Sequence, residues 1–545
     1  MCGIVARLGE ASSNELVSLP HRGPDQEFRG SFGKLDIIFN RLTITGGDSG
    51  TAPVTSTEGR WTCFLNGEIY NFKELISRYE LKPSPSDTAV LAEGLQKIGL
   101  KFLNNLAGMF AIVAVDNLTS KVLVARDPLG EKPLFYTYNN QCILISSEFR
   151  SLMRHIGGPI ALNEIALADY FRFGYIEGPD SIDDRIKEFP RGEVVEVGPQ
   201  GVASIQSISE KENFDFSQVE LRELVKHVRS QVMKTEVPYA VLLSGGFDSS
   251  TLLSQLEPSE GCAFTLRSGK KVNLEEVRRS SKRARMAGLR HQIVDVQEEN
   301  LMEGLKEVAK SLDQPHSDMA SLGYFRLFQS IQNKGFKLAV SGIGFDEFFW
   351  GYSWFNEHVK ELRDNFNQRI FWDTPATLKR FTKFCPHSSG EKSLISSDLF
   401  LTHHSKFKRG RAEMVHSYLS VNGLAQLDRI SMHFSVEARS PYADFRLYLW
   451  AQQNANGSKD FGKSSIMKAL SPSFFPKVRL YRKRGFDLGM MEYLNEEGIK
   501  SSTSRDIYHL NERRFLPFML PNPTDLNTRE RYRMLMLEYW LKQFD

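Results

Sequence analysis

Ser244-Gly245-Gly246-Phe247-Asp248-Ser249-Ser250 follows the apolar run Tyr239-Ala240-Val241-Leu242-Leu243 and precedes Thr251-Leu252-Leu253, which can begin a helix. The order reads as strand, tight Gly-Gly turn and helix start. Such a turn gathers several free backbone N–H groups around one point, with the positive end of a helix dipole behind them. The glycines let a ligand approach the backbone, and the serine hydroxyls add donors. Asp248 has the wrong sign for phosphate unless it holds a cation between them, so the string points to a phosphate cradle with magnesium. The plain alternative is a βα turn with Asp248 and Ser249 as helix caps. The string lacks the Gly-x-x-x-x-Gly-Lys-Ser/Thr spacing of the nucleotide-hydrolysing P-loop.

Working outward, strand-like runs recur at 262–266, 292–296 and 336–340, separated by helical stretches. That alternation predicts a parallel, doubly wound sheet whose ligands sit at the C-terminal strand ends, where Ser244, Leu266 and Ser341 fall. The last of these ends carries Ser341-Gly342-Ile343-Gly344-Phe345-Asp346-Glu347-Phe348-Phe349-Trp350-Gly351-Tyr352. A helical pattern at 219–225 leads into the phosphate loop. Before it, residues 198–217 lose periodicity and gather Gly, Ser, Gln, Lys and Glu, which predicts a linker or ragged domain edge. The basic stretch 270–290 (Lys270, Lys271, Arg278, Arg279, Lys282, Arg283, Arg285, Arg290) reads as a solvated helix face, with an anionic acceptor or RNA as the sharper reading.

The first third has a different rhythm. His21-Arg22-Gly23-Pro24-Asp25 forms a turn string, strand-like runs follow at 35–39, 61–65, 109–115, 121–125, 132–136 and 142–145, and Asp116-Asn117 reads as a hairpin turn. Ser86-Asp87-Thr88 opens a helix. Antiparallel strands are therefore expected here. Cys2 follows the initiator methionine. Removal of Met1 would leave its thiol beside a free α-amine of reference pKa roughly 7.7–8.0, able to take or relay the thiol proton.

Composition sets outer bounds. The chain has 545 residues, a net charge of +3 and a hydrophobic fraction of 41%, ordinary values that give no reason to expect nucleic acid or a membrane as partner. No apolar run approaches bilayer length and the start lacks a secretory pattern, so a cytoplasmic location is expected. The five cysteines (Cys2, Cys63, Cys142, Cys262, Cys385) never occur at Cys-x-x-Cys spacing, so neither a disulfide framework nor a zinc site is indicated, and all but Cys2 read as small core residues.

From Cys2 to about Glu148 these segments resemble the class II glutamine amidotransferase domain, an α+β N-terminal-nucleophile hydrolase with two antiparallel sheets between helical layers (αββα). The Ser-Gly-Gly-x-Asp-Ser loop is similar to that of the ATP-pyrophosphatases. Ser341 to Tyr352, Leu427-Asp428-Arg429-Ile430-Ser431-Met432 through Glu437-Ala438-Arg439-Ser440-Pro441, Gly462-Lys463-Ser464-Ser465-Ile466 and Arg482-Lys483-Arg484-Gly485-Phe486 resemble the asparagine synthetase family. The domains expected are a glutaminase over 1–205 and an α/β ATP-pyrophosphatase domain with a doubly wound parallel sheet over 216–545.

The resemblance implies that Cys2 attacks the side-chain amide of glutamine, with Asn66 and the Gly67 N–H as oxyanion hole. It implies a glutamine site made of Arg41, Leu42, Thr43, Ile44, Thr45, Asn66, Gly67, Glu68 and Asp87, in which Arg41 meets the α-carboxylate and Glu68 and Asp87 the ammonium. ATP would lie on Leu243, Ser244, Gly245, Gly246, Asp248, Ser249, Leu266, Ser341 and Gly342. Asp248 and Asp346 would ligate Mg2+, and Lys463 would neutralise the departing pyrophosphate. Ammonia would pass through an internal tunnel to an acyl adenylate, giving an amide, AMP and pyrophosphate, with aspartate as the default acceptor. A homodimer is the assembly allowed for.

Departures from the family pattern are Pro128 and Met467 for arginines, bulky Phe247 and Phe345, and above all Ile343 where the family has an acid. Isoleucine transfers no proton. Either another residue such as Glu347 takes over, the acceptor is another carboxylate (a sugar acid, a peptide or a natural-product precursor), or the synthetase half is impaired. A nucleic-acid-modifying enzyme and a non-catalytic family member are the rival readings from other classes.

Overall fold

The structure, a computed structural model, describes residues 1–9, 15–47, 52–139, 142–198, 201–208, 216–253, 261–268, 274–297, 301–349, 351, 406–455, 490–495 and 527–545. Cys385, Trp350, Tyr352, Lys463 and residues 482–486 lie outside these, so the expectations placed on them have no structural counterpart.

The first domain is built from strands β1 (Cys2–Gly9), β2 (Gln26–Phe32), β3 (Leu35–Arg41), β4 (Val54–Thr55), β5 (Trp61–Ile69), β6 (Gly108–Asp116), β7 (Lys121–Arg126), β8 (Phe135–Asn139), β9 (Cys142–Ser146), β10 (Ile186–Glu188), β11 (Glu193–Gly198) and β12 (Gly201–Ser207). They form two six-stranded antiparallel sheets, β10-β8-β9-β1-β3-β2 and β12-β11-β7-β6-β5-β4. Alternation along each strand explains the stacking. Ile4, Ala6 and Leu8 of β1 meet Ala111, Val113 and Val115 of β6 between the sheets, while Leu65, Ile112 and Leu123 face outward onto the helix Asp87–Ile98.

Two details differ from the expectation. The supposed linker contains β12, an edge strand paired with β11, and its polar outer positions hid it from a hydrophobic pattern search. The β6–β7 hairpin turns over Asn117–Ser120 rather than at Asp116-Asn117 alone, because Asp116 still pairs with Lys121 in the ladder and Ser120 takes a positive φ of 57°.

The second domain has a five-stranded parallel sheet in the order β15-β14-β13-β16-β17, made of β13 (Tyr239–Leu242), β14 (Gly261–Ser268), β15 (Arg290–Val296), β16 (Leu338–Val340) and β17 (Glu437–Arg439). Strand order reverses beside β13, the position that leaves a crevice at the C-terminal ends. Both faces are covered. Ala240 and Leu242 pack on one side with Leu305, Phe325 and Phe328; Tyr239, Val241 and Leu243 pack on the other with Leu224, Val228 and Leu447. These two cores run on into the first domain, one through Phe149 and Tyr170, the other through Met1, Leu42, Ile44 and Leu129. Cys63, Cys142 and Cys262 are buried and form no disulfide. Among the described residues no helix is long and apolar enough to cross a membrane.

Candidate active sites

Cys2 opens β1 and lies opposite Arg41 of β3. Its backbone N–H donates to Asn66 Oδ1 at 2.9 Å, whereas Asn66 Nδ2 is buried and has no partner. A buried amide donor left without an acceptor is costly unless a ligand supplies one. Gly67 beside it has φ +136°, and a Cβ there would stand 1.9 Å from the Met109 carbonyl, so only glycine fits. Burial pushes the Cys2 thiol up, opposed by the chain's α-ammonium, a hydrogen bond from the Leu42 backbone and the Arg41 guanidinium.

Arg41 is buried and donates to the Gly47 carbonyl (2.8 Å), Gln26 Oε1 (3.2 Å) and the Thr45 carbonyl (3.4 Å). Asp25 anchors the Leu42-Thr43 segment by accepting from the Thr43 N–H at 2.7 Å, and Leu42 N–H donates to the Met1 carbonyl. Ile44 is buried in the seam between the domains, and Thr45 Oγ1 is buried without a partner. Asp87, first residue of its helix, accepts from Ile69 N–H (2.9 Å) and Thr88 N–H (2.7 Å), and Ser86 is the helix cap. Cys2, Arg41, Asn66, Glu68 and Asp87 thus surround one region at the ends of β1, β3 and β5.

Sequence reasoning missed what the second domain adds. The α-ammonium of Met1 pairs with Glu437 at 2.7 Å, both fully buried. Arg439 reaches Glu68, and Arg22 donates both to the Cys2 carbonyl (3.2 Å) and to Asp428 (2.9 Å), which also takes Lys132 (3.1 Å). Burial opposes the charge on Glu437, but the Met1 ammonium and Arg439 hold its carboxyl down at about 2. Residues Asp428, Glu437 and Arg439 all lie in the two matched strings 427–432 and 437–441. No spacing rule connects them to Cys2.

At the other centre, Leu243 N–H donates to Phe264 and the Leu243 carbonyl accepts from Thr265 Oγ1 at 2.6 Å, so the end of β13 is tied to β14 just before Leu266. Ser244 and Gly246 are exposed in the following turn, where Ser244 Oγ accepts from Gly246 N–H (3.2 Å) and contacts Ser249 Oγ (3.1 Å). Gly245 has φ +67°, and a Cβ would stand 2.6 Å from the Glu276 carbonyl. The helix starts at Phe247, inside the loop, not at Thr251 as expected. Arg283 corrects the reading of the basic stretch as a solvated face. Its buried guanidinium donates to the Gly245 and Gly246 carbonyls and to Ser250 Oγ, pinning the loop from behind.

The turn after β16 touches this loop. A Cβ on Gly342 would lie 3.2 Å from Ser249 N and 3.3 Å from the Asp248 carbonyl carbon. Asp248 and Asp346 therefore come from two touching turns, and such all-oxygen donors suit magnesium. Ser341 N–H donates to the Arg439 carbonyl at 2.9 Å. Ile343 packs against both cores, with Gly423 pressed on it so closely that a Cβ would sit 2.9 Å from Ile343 Cδ1. Glu347 is buried and caps its own turn, accepting from Gly344 N–H at 3.1 Å. That commitment leaves it a poor substitute for the missing acid. Nearby, Asp318 accepts from Asn422 (2.7 Å) and Gln426 (3.3 Å). A small cavity lies in the seam between the domains, lined by Arg126, Gly130, Glu188, Gln314, His316 and Arg429 among others.

Comparison with known proteins divides the chain in the same two parts. A family model described as a glutamine amidotransferase domain matches residues 1–207, and one described as asparagine synthase matches residues 220–542. The chain is 29% identical to the protein named asparagine synthetase (glutamine-hydrolyzing) 1 of Bacillus subtilis, over 91% of this chain and 88% of that one. It is 24% identical to the same organism's asparagine synthetase (glutamine-hydrolyzing) 3, over 92% and 89%. To asparagine synthetase B (glutamine-hydrolyzing) of Escherichia coli it is 27% identical over 63% and 62%.

Proposed function

Because the chain belongs to the asparagine synthase family and carries a glutamine amidotransferase domain ahead of the synthase part, we propose that it is a glutamine-dependent, ATP-consuming amide synthetase divided at residues 205 and 216. The observation that carries this reading is the unpartnered Nδ2 of Asn66, buried next to Cys2. It is a donor placed where a tetrahedral oxyanion would develop. Cys2 Sγ attacks the side-chain carbon of glutamine, the C–N bond breaks, and the thiol proton passes to the leaving nitrogen to give ammonia. Removal of Met1 frees the Cys2 amine to carry that proton. Water then releases glutamate from the thioester. Arg41 holds the substrate α-carboxylate, Glu68 and Asp87 its ammonium, and the Leu42–Thr45 segment closes over it.

ATP binds where β13, β14 and β16 end, with adenine against the main chain of Leu243 and Leu266 and the phosphates on Ser244, Gly245, Gly246, Ser249, Ser341 and Gly342. Asp248 and Asp346 would hold Mg2+, which supplies charge neutralisation at the phosphates when bound. Lys463 is assigned to the departing pyrophosphate on sequence alone. An acceptor carboxylate oxygen attacks the α-phosphorus, pyrophosphate leaves, and ammonia delivered through the seam displaces AMP. A closed route suits both partners: ammonia is mostly protonated in water near neutral pH, and an adenylate hydrolyses readily.

Aspartate is the acceptor proposed first, since the relatives above are named for asparagine synthesis. The apolar packing of Ile343 favours a second reading, the same chemistry on another carboxylate. Pyrophosphate release from ATP and Mg2+ with ammonium as nitrogen source, over a panel of acids, decides between them. Turnover with aspartate and formation of asparagine support the first reading. Silence with aspartate and turnover with a different acid support the second.

A further inference from the structure

Arg439 is a residue of the synthetase sheet whose side chain ends in the glutamine pocket. Its Nε donates to Glu437 Oε1 (2.6 Å) and its Nη1 to the carbonyls of Val232 (2.8 Å) and Lys234 (2.9 Å). Nη2 forms an ion pair with Glu68 Oε1 at 3.1 Å, off the line of a hydrogen bond. The guanidinium also stands 5.9 Å from the centre of the Tyr70 ring. Held at these points and 1% exposed, it cannot swing away. Its main chain belongs to the other site: β17 pairs with β16, and the Arg439 carbonyl receives the Ser341 N–H.

Glu68 needs such a partner. It is buried, with Asp87 facing it from the helix Asp87–Ile98, Glu437 from β17 and Tyr70 from the end of its own strand. Against these act Arg439 first and, while Met1 is retained, its α-ammonium. Several carboxyls in one dry pocket keep protons unless a fixed cation opposes them. Burial, Asp87 and Glu437 push Glu68 up to about 8, and Arg439 is the strongest influence pulling it down. A carboxyl poised there is ionised by a modest added positive charge, which an arriving α-ammonium provides.

We propose that Arg439 completes the glutamine site: supplied by the synthetase sheet, its guanidinium orients Glu68 and holds it ready to ionise against the α-ammonium of glutamine, so that the glutaminase binds its substrate only with the second domain docked. The inference rests on the role given to Glu68 above. Arg439 acts through Glu68 and is a positioning residue, not a catalytic one. Glutamine-driven amide synthesis therefore has a built-in condition, because the strand whose Arg439 carbonyl holds Ser341 also carries the counter-ion of the glutamine pocket.

The test is glutamate release from glutamine by the full chain, with kcat and KM for glutamine followed from pH 6.5 to 8.5 in wild type, Arg439→Met, Arg439→Lys and Glu68→Gln. In wild type KM falls as pH rises toward 8.5. Arg439→Met raises KM about tenfold or more, as expected for a lost charge-assisted contact, moves the fall to higher pH, and changes kcat little. Glu68→Gln gives a high KM that no longer varies with pH, and adding Arg439→Met to it costs nothing further. Arg439→Lys shifts the profile in the same direction by less, and it carries the test if the methionine variant does not fold. A wild-type profile in Arg439→Lys, or penalties of Arg439→Met and Glu68→Gln that multiply, overturns the inference alone. A wild-type chain that releases no glutamate overturns the functional reading and this inference together.

Discussion

Arg22 and Asp428 meet at 2.9 Å across the domain seam, although 406 positions separate them in the chain. Arg22 is fully buried and spends its Nε on the carbonyl of Cys2, while the other Asp428 oxygen takes Lys132. The backbone of Cys2 is thus tied to the helix Ala425–His433 through one guanidinium. Arg22 and Lys132 hold the Asp428 carboxyl below its usual range in spite of burial.

Asp428→Asn removes the shared anion, leaving Lys132 against a neutral amide and Arg22 with its longer contact to Glu148 at 3.7 Å. Breaking a buried pair in this way costs about 3–5 kcal/mol. The variant is expected to melt several degrees earlier and to lose glutaminase turnover, because Arg22 no longer fixes Cys2. A thermal melt and a glutamate-release assay on the same sample check it. An unchanged melt would show that the seam does not depend on this triad.

Asn66→Ala deletes the unpartnered donor beside Cys2 and the acceptor of the Cys2 N–H. Loss of one oxyanion donor typically costs about 10²–10³ in kcat. Glutamine-driven synthesis should fall by that factor while ammonium-driven synthesis persists, since the nucleotide turns make no use of Asn66. Equal loss of both activities would sink the assignment of Asn66 to the oxyanion.

Arg283→Met withdraws the donors that hold the Gly245 and Gly246 carbonyls. The loop N–H groups should then lose their orientation, raising KM for ATP about tenfold. Glutamate release stays at the wild-type rate. Lysine at this position, with one charge and no fork, is expected to recover part of the affinity. Wild-type ATP kinetics in the methionine variant would return Arg283 to the role of ordinary packing.

Much of this is legible in the sequence. Turn-bounded runs in the first third give antiparallel strands and the family resemblance their stacking, while strand-like runs separated by helical stretches give the parallel sheet and the Gly-Gly string its βα turn. Arg283 could have been found too: Val277, Ser280, Arg283 and Ala284 share the buried face of one helix, which places this one cation of the basic run inward. What stayed hidden were charges brought together across hundreds of residues, such as Glu68 with Arg439. Local periodicity carries no information about which strand end meets which, and β12 escaped because an edge strand with exposed polar positions looks like a linker.

His316 lines the seam cavity, and burial pushes its pKa down from 6.5 to about 4. The folded protein holds it neutral, whereas the unfolded chain binds a proton below pH 6.5. Its stabilising contribution is therefore complete above pH 6.5 and lost as pH falls toward 4. Between pH 6.5 and 5 that amounts to roughly 2 kcal/mol, at 1.36 kcal/mol per unit. His316→Gln should flatten the fall of melting temperature over this range, leaving a residual slope from His416, which burial depresses to about 3. An identical slope in variant and wild type would remove His316 from the account.

Ile343 decides the acceptor only if its side chain shapes the pocket, and its contacts make that testable. It wedges between the two cores against Gly423, whose missing side chain leaves just enough room for it. Ile343→Ala opens that space. A truncation at a half-buried site of this kind costs about 2 kcal/mol, the low end of the range for core isoleucines. Glutamate release and KM for ATP should stay near wild type, because Cys2, the Gly245-Gly246 turn and Ser341 keep their partners. KM for the acceptor should change severalfold, and larger acids should gain relative to smaller ones. Glu347→Ala gives the contrast: it removes the cap on Gly344 N–H at a cost of about 1 kcal/mol, loosening the turn without altering which acid is preferred. An acceptor profile that shifts with Glu347 and not with Ile343 would move the specificity of the site from the apolar wall to the capping carboxylate.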